Sequence, residues 1–170
     1  PYQFSERATD YYEETVGKVY QKYEEKLAKL GGLDFGDLIL KAVSLFDRNP
    51  KILEAWQERL RYVLIDEYQD TNHAQYRFVK LLAAKHRHIT VVGDPDQSIY
   101  AWRGADIRNI LNFEKDYPEN GVIKMEKNYR SPSVILDAAN ALIQHNTYRK
   151  PKLLWGEKGK GERGEVNRGE

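Results

Sequence analysis

An α/β fold is predicted by a change of period along the chain. Tyr62-Val63-Leu64-Ile65 and Ile89-Thr90-Val91-Val92 are short, continuously apolar runs rich in β-branched residues, and each ends in acidic or turn residues, Asp66-Glu67 and Gly93-Asp94-Pro95-Asp96. Such runs suit strands buried on both faces of a parallel sheet. Between them, Asn72 to Ala84 reads as a helix offering Tyr76, Val79, Leu81 and Leu82 for packing. Strand, helix, strand is a βαβ unit.

The other elements are helical. From Ser5 to Leu30 the positions Tyr12, Val16, Val19, Tyr20, Tyr23, Leu27 and Leu30 recur at three- and four-residue steps, which predicts one helix with a buried stripe, ended by Gly31-Gly32. Asp34 is placed to cap a second helix carrying Leu38, Ile39, Ala42, Val43 and Phe46 inward. Asn49-Pro50, cap and first position, opens a third with Leu53, Trp56 and Leu60 toward the core. Beyond the second strand, Ile107, Ile110, Leu111 and Phe113 mark another helix, broken at Tyr117-Pro118-Glu119-Asn120-Gly121, the best candidate for a domain boundary. Val122-Ile123-Lys124-Met125 reads as a third strand. A helix capped at Ser131-Pro132 follows, burying Ile135, Ala138, Ala139, Leu142 and Ile143. From Gly156 the charged, glycine-rich sequence predicts a loop or frayed end.

Composition removes several classes of function. With no Cys, disulfide scaffolds, thiolate zinc sites and cysteine nucleophiles are excluded, and a reducing compartment is the simpler expectation. The four His show no ligand spacing. No apolar run approaches the ~18 residues that cross a bilayer, and the first residues lack signal-peptide character, so a soluble, cytoplasmic protein without a membrane partner is expected. The net charge of +1 is uneven: residues 1–60 sum to −2, 61–120 to −1 and 121–170 to +4. That excess is too small to argue for a polyanion by itself.

Chemistry-bearing residues cluster where strands end, the place at which open α/β sheets bind ligands. In Asp66-Glu67-Tyr68-Gln69-Asp70-Thr71, one of two adjacent carboxylates can hold Mg²⁺ while its neighbour orients or deprotonates a water; acidic residues there can equally cap the next helix. In Gly93-Asp94-Pro95-Asp96-Gln97-Ser98-Ile99-Tyr100-Ala101-Trp102-Arg103-Gly104, Gln97 can hydrogen-bond a terminal phosphate. Tyr100, Trp102 and Arg103 combine flat π surfaces with a fixed cation, as single-strand binders do, or else form core with a surface charge beside it. In Lys127-Asn128-Tyr129-Arg130-Ser131, Arg130 can reach a phosphate and Tyr129 can stack on a base, or the segment is a helix cap with a neighbouring Arg.

Taken together, D-E-Y-Q-D-T, G-D-P-D-Q-S-I-Y-A-W-R-G-A and N-Y-R-S, in this order and at these separations, closely resemble motifs of the superfamily-one DNA helicases of the UvrD/PcrA/Rep type. Leu33-Asp34-Phe35-Gly36-Asp37-Leu38 resembles a further motif where the chain re-enters the family's first RecA-like domain, and the resemblance spans about residues 33 to 155. It implies a partial RecA-like (P-loop NTPase) parallel sheet with flanking helices, preceded by a helical segment. It also implies ATP and Mg²⁺ as cofactors, with single-stranded DNA, duplex junctions and the remaining helicase domains as partners. By that resemblance Asp66 and Glu67 form the magnesium site, and Glu67 activates the hydrolytic water. Gln97 senses the γ-phosphate and relays its state to the DNA groove. Tyr100 and Trp102 face single-stranded DNA, and Arg103 links those contacts to the nucleotide side. Tyr129 stacks on adenine, and Arg130 contacts the γ-phosphate from the second RecA-like domain. Movement along one strand is 3′ to 5′ in such enzymes.

Two parts of the family pattern are missing. The sequence contains no G-x-x-x-x-G-K-[ST] loop to cradle phosphates, since Gly159-Lys160-Gly161 is followed by neither Ser nor Thr, and the family's last motifs are absent too. The expectation is therefore an interior fragment, inactive alone: 1–32 the helical end of an inserted subdomain, 33–118 the later part of the first RecA-like domain, and 119–170 the start of the second with a flexible tail. Two alternatives share the motifs, a helicase–nuclease subunit of the AddA/RecB type and a non-catalytic module keeping only a DNA or partner surface.

Overall fold

The computed structural model describes residues 7–147 and 149–156. Its contacts divide the chain into two units, Pro1–Val63 with Ala74–Ile89, and Leu64–His73 with Thr90–Glu170.

In the first unit, α1 (Tyr11–Lys29) starts where the Asp10 carboxylate accepts the Glu13 N–H at 2.8 Å. The expected start near Ser5 lies outside the described residues. The apolar stripe of α1 is present in the sequence but is not buried: Tyr12, Val19, Tyr20, Tyr23 and Leu30 are exposed, and Gly17 alone on this helix is buried. Periodicity specifies which face is apolar, whereas burial needs a second surface laid against it.

The helix α2 (Phe35–Arg48) has the cap its sequence predicts. Asp34 accepts from Asp37 N at 2.8 Å and the Asp37 carboxylate accepts from Asp34 N at 3.4 Å, a reciprocal pair that satisfies two end donors. Val43 and Phe46 are buried, while Leu38 is exposed, contrary to expectation, because it lies off that face. Asn49 stands at the N-cap of the next helix, its C=O accepting from Leu53 N at 3.1 Å, but its side chain serves α2 instead, the amide donating to Leu45 O at 3.0 Å. Pro50 opens α3 (Pro50–Arg59). Trp56 is not core either; its exposed ring carries the Arg59 guanidinium at 5.0 Å. The core of this unit forms where α2 meets α4 (His73–Ala83): the Phe46 and Phe78 rings stack at 5.8 Å, beside buried Val79, Leu82 and Ala83. Gln57 of α3 donates to Leu81 O at 2.7 Å, tying down the end of α4.

Two strands, β1 (Val63–Ile65) and β2 (Ile89–Val91), form a parallel two-stranded sheet, with Val63 N–H on His88 C=O and Val92 N–H on Ile65 C=O. With one neighbour each, neither strand is buried on both faces, and Leu64 is 76% exposed.

In the second unit, the chain leaves β1 through a 3-10 turn, Tyr68–Asp70, that buries Tyr68 edge-on against Phe113 at 5.9 Å; Phe113 stacks in turn on Tyr117 at 4.9 Å. The helix expected around Ile107–Phe113 is two short ones, α5 (Arg108–Leu111) and α6 (Phe113–Asp116). The last helix, α7 (Ser133–Ile143), buries Leu136 and leaves Ile135, Ala138, Ala139 and Leu142 exposed; its start is organised by Asn128, whose Oδ1 accepts from Arg130 N and Ser131 N at 2.9 and 2.8 Å. Val122–Met125 is not a strand. Its apolar side chains are exposed, and pairing begins only beyond it, with Trp155 N–H on Glu126 C=O and Asn128 N–H on Trp155 C=O. A β-branched run becomes a strand only beside a partner edge, and among the described residues none runs alongside it. The tail from Glu157 lies outside the described residues. No helix among those described is long and apolar enough to cross a membrane.

Candidate functional site

The second unit contains every candidate residue. Asp66 follows β1 directly, and its Oδ1 accepts the Glu67 N–H at 2.9 Å. Glu67 has left-handed backbone, φ 50 and ψ 40, costly for a residue with a Cβ, and this sharp turn takes its side chain out of line with the strand. Its Oε2 accepts a hydrogen bond from Gln69 Nε2 at 2.8 Å. Gln69 also donates to Asp70 Oδ2 at 3.2 Å and accepts the Asp94 N–H at 3.0 Å, so one buried amide joins the acidic turn to the loop that follows β2. Gly93 makes this approach possible: a Cβ there would lie 2.6 Å from Gln69 Oε1, 2.8 Å from Ile110 Cδ1 and 3.1 Å from Tyr68 N.

Asp94 then becomes the hub of the second loop. It accepts from Asp96 N at 2.9 Å, from Gln97 Nε2 at 2.9 Å and from Lys152 Nζ. Arg149 grips Asp96 with Nε to Oδ1 at 3.2 Å and Nη2 to Oδ2 at 2.9 Å, the two side chains being 11% and 9% exposed. The structure thus strings Glu67, Gln69, Asp94 and Gln97 into one hydrogen-bonded series, and the short segment beyond α7 supplies the cations that neutralise it. Burial pushes the Asp94 carboxyl up, but hydrogen bonds from Lys152, Gln97 and Asp96 N outweigh burial and hold it below its usual range. A carboxyl whose folded value is depressed stabilises the fold above its unfolded pKa, and that contribution is lost as pH falls through the folded value. Acid unfolding followed by tryptophan fluorescence is accordingly expected to show a shallower loss of stability below about pH 4 for Asp94→Asn than for the parent chain; parallel curves would remove Asp94 from the acid response.

Tyr100, Trp102 and Arg103 form a cluster of their own on the 3-10 turn Ala101–Arg103, which Gly104 ends at φ 85. The Arg103 guanidinium lies 4.4 Å from the Trp102 centroid and 5.1 Å from that of Tyr100, and the two rings are 6.4 Å apart. Trp102 is 73% exposed, so these aromatics are surface rather than core. The loop is anchored to the acidic turn beyond the cluster: Asp106 N–H bonds Thr71 O at 3.0 Å, and the buried Asn109 amide donates to Thr71 O and Oγ1 at 3.0 and 3.1 Å. Tyr129 and Arg130 follow Asn128, whose Oδ1 accepts the Arg130 N–H at 2.9 Å. Tyr129 is exposed, with Lys127 Nζ 5.3 Å from its ring.

Sequence reasoning passed over Gln69, Asn109, Arg149 and Lys152. Gln69 carried a signal, an amide two residues beyond a carboxylate in a strand-end turn. The other three were silent, because their partners lie 38 or more residues away in sequence.

The site is thus an acidic strand end hydrogen-bonded to a second polar loop, with an exposed aromatic–arginine cluster following in sequence. The family model for the UvrD/REP helicase N-terminal domain matches residues 1–118, and the chain belongs to that family. It is 53% identical over 163 residues to the ATP-dependent DNA helicase PcrA of Staphylococcus aureus strain Mu50, covering 96% of this chain and 22% of the relative. To the protein of the same name from Bacillus subtilis strain 168 it is 55% identical over 161 residues, covering 95% and 22%. For Staphylococcus epidermidis PcrA the values are 53% over 155 residues, 91% and 21%. The chain thus spans about a fifth of the length of the curated relatives it matches.

Proposed function

We propose that this chain is a piece of an ATP-dependent DNA helicase that couples ATP hydrolysis to 3′–5′ movement on single-stranded DNA and to duplex unwinding. The observation that supports this best is the hydrogen-bonded series from Glu67 through Gln69 and Asp94 to Gln97, set at the ends of paired parallel strands and running on into the aromatic cluster. In this reading 33–118 belongs to a first RecA-like domain, 1–32 to an inserted helical subdomain and 119–170 to a second RecA-like domain.

Asp66 and Glu67 suit Mg²⁺, which takes one or two carboxylates and completes its shell with water and phosphate oxygens. Asp70 Oδ1, on the same turn, is buried without a hydrogen-bond partner. When bound, the ion neutralises charge on the phosphates being separated. Glu67 takes the proton of the attacking water. Gln97, already held by Asp94, presents the rest of its amide to the terminal phosphate. Arg130 offsets charge on the same phosphate from the second domain, and Tyr129 stacks on adenine. Trp102 and Tyr100 stack on bases, with Arg103 fixed against both rings and continuous in sequence with the Gln97 loop.

ATP hydrolysis by the complete helicase, measured with and without single-stranded DNA, tests this reading. The complete enzyme is expected to be DNA-stimulated, and the 170-residue chain alone, which has no phosphate-cradling loop, to show no hydrolysis above background. Turnover by the isolated chain that Glu67→Gln abolishes would overturn the assignment as a piece.

A further inference from the structure

We propose that Gln69 is a positioning residue that aims the Glu67 carboxylate and fixes it to the loop after β2. This rests on the role given to Glu67 above.

Gln69 is 1% exposed, and both ends of its amide are committed. Nε2 spends its two N–H groups on Glu67 Oε2 and Asp70 Oδ2, and Oε1 receives the Asp94 N–H. Reversing the amide would set its oxygen against two carboxylates and its NH₂ against a backbone N–H, three repulsions in place of three bonds, so the orientation is determined. Translation is blocked as well, since Oε1 rests against Gly93 where even a Cβ does not fit. Glu67, by contrast, is exposed and has flexible side-chain torsions. A held amide that grips Oε2 removes that freedom and leaves Oε1 to receive a proton from water. Gln69 itself is buried behind the carboxylate, so it acts through Glu67.

Such a residue governs the geometry of reaction more than the affinity for nucleotide. Misplacing a reacting group by about 1 Å can cost about 10²-fold in rate. The test compares kcat and KM for ATP, and the melting temperature, of the complete helicase carrying Gln69→Glu or Gln69→Met. Gln69→Glu keeps an acceptor for the Asp94 N–H and replaces the donor to Glu67 by a repelling oxygen, whereas Gln69→Met keeps bulk and loses both contacts. For each folded variant kcat is expected to fall by about tenfold or more with KM within about twofold of the parent. A folded variant with parental kcat, or one whose loss lies in KM, overturns the proposal.

Should both variants melt too early to assay, the exchanged pair Glu67→Gln with Gln69→Glu decides. The amide at position 67 then donates to the carboxylate at position 69, so the melting temperature is expected to recover at least half of the loss, and no recovery overturns the contact. Glu67→Gln alone runs in parallel. If it leaves turnover intact, the catalytic reading of Glu67 fails. If it abolishes turnover while the Gln69 variants retain it, positioning alone fails.

Discussion

In the complete helicase, Glu67→Gln is expected to cut DNA-stimulated ATP turnover by about 10²–10⁴-fold, the range that a positioned general base supplies. Nucleotide affinity is expected to stay within about twofold, because an amide of the same shape removes proton acceptance, which matters in the transition state, and little that the ground state uses. The local structure favours a clean result. Glu67 is exposed, and the one described hydrogen bond of its side chain comes from Gln69 Nε2, which an amide oxygen at the same place accepts equally well. The turn that holds it is set by backbone, with Asp70 N–H on Glu67 O at 2.9 Å and Tyr68 N–H on Val92 O at 3.0 Å, neither of which the substitution touches. Turnover in the steady state and equilibrium binding of a fluorescent ATP analogue check the two halves separately. Equal losses in both would make Glu67 a binding or structural residue.

How far the sequence reaches depends on how local each determinant is. The Asp34 cap was legible because its partner is three residues away, and both paired strands were legible to within one residue because β-branched runs bounded by turn residues are local too. Val43, Phe46, Val79 and Leu82 were legible as core, since each lies on a face that another element of the chain covers. The failures share one cause. The α1 stripe, Leu64 and Val122–Met125 each have the pattern of a buried element and stand exposed, because a pattern states what a surface is made of and not whether anything lies against it. At the candidate site, residue types at strand ends were enough to single out Asp66, Glu67 and Gln97. The hydrogen bonds that join them were not, since Gln69 meets Asp94 across 25 positions and Lys152 meets it across 58. Gly93 shows the same limit: its place after a strand predicts a turn, while the close approach of a buried amide is visible only in the fold.

Trp102→Ala distinguishes a DNA platform from a packing role by where the penalty falls. A base stacked on an aromatic side chain is worth about 1–3 kcal/mol by truncation, so single-stranded DNA binding by the complete helicase is expected to weaken by about 5- to 150-fold. Removing a buried Trp costs about 3–5 kcal/mol of folding stability, but this ring is 73% exposed, so the melting temperature is expected to move only slightly. What the ring touches supports that division: its described contacts are Arg103 at 4.4 Å and Tyr100 at 6.4 Å, both on the same short loop. The anchors that hold this loop in place, Asp106 and Asn109 on Thr71, lie beyond the cluster and remain when the ring is removed. Because every base presents a π face, the loss is expected to be similar on homopolymers of different sequence, and DNA-stimulated ATP hydrolysis should fall with binding while basal hydrolysis is retained. Fluorescence anisotropy with labelled oligonucleotides, run beside thermal melts, reads both quantities. A Trp102→Ala enzyme that melts far earlier, yet binds single-stranded DNA normally at a temperature where it is folded, would place the ring in the architecture of the loop and leave base stacking to Tyr100.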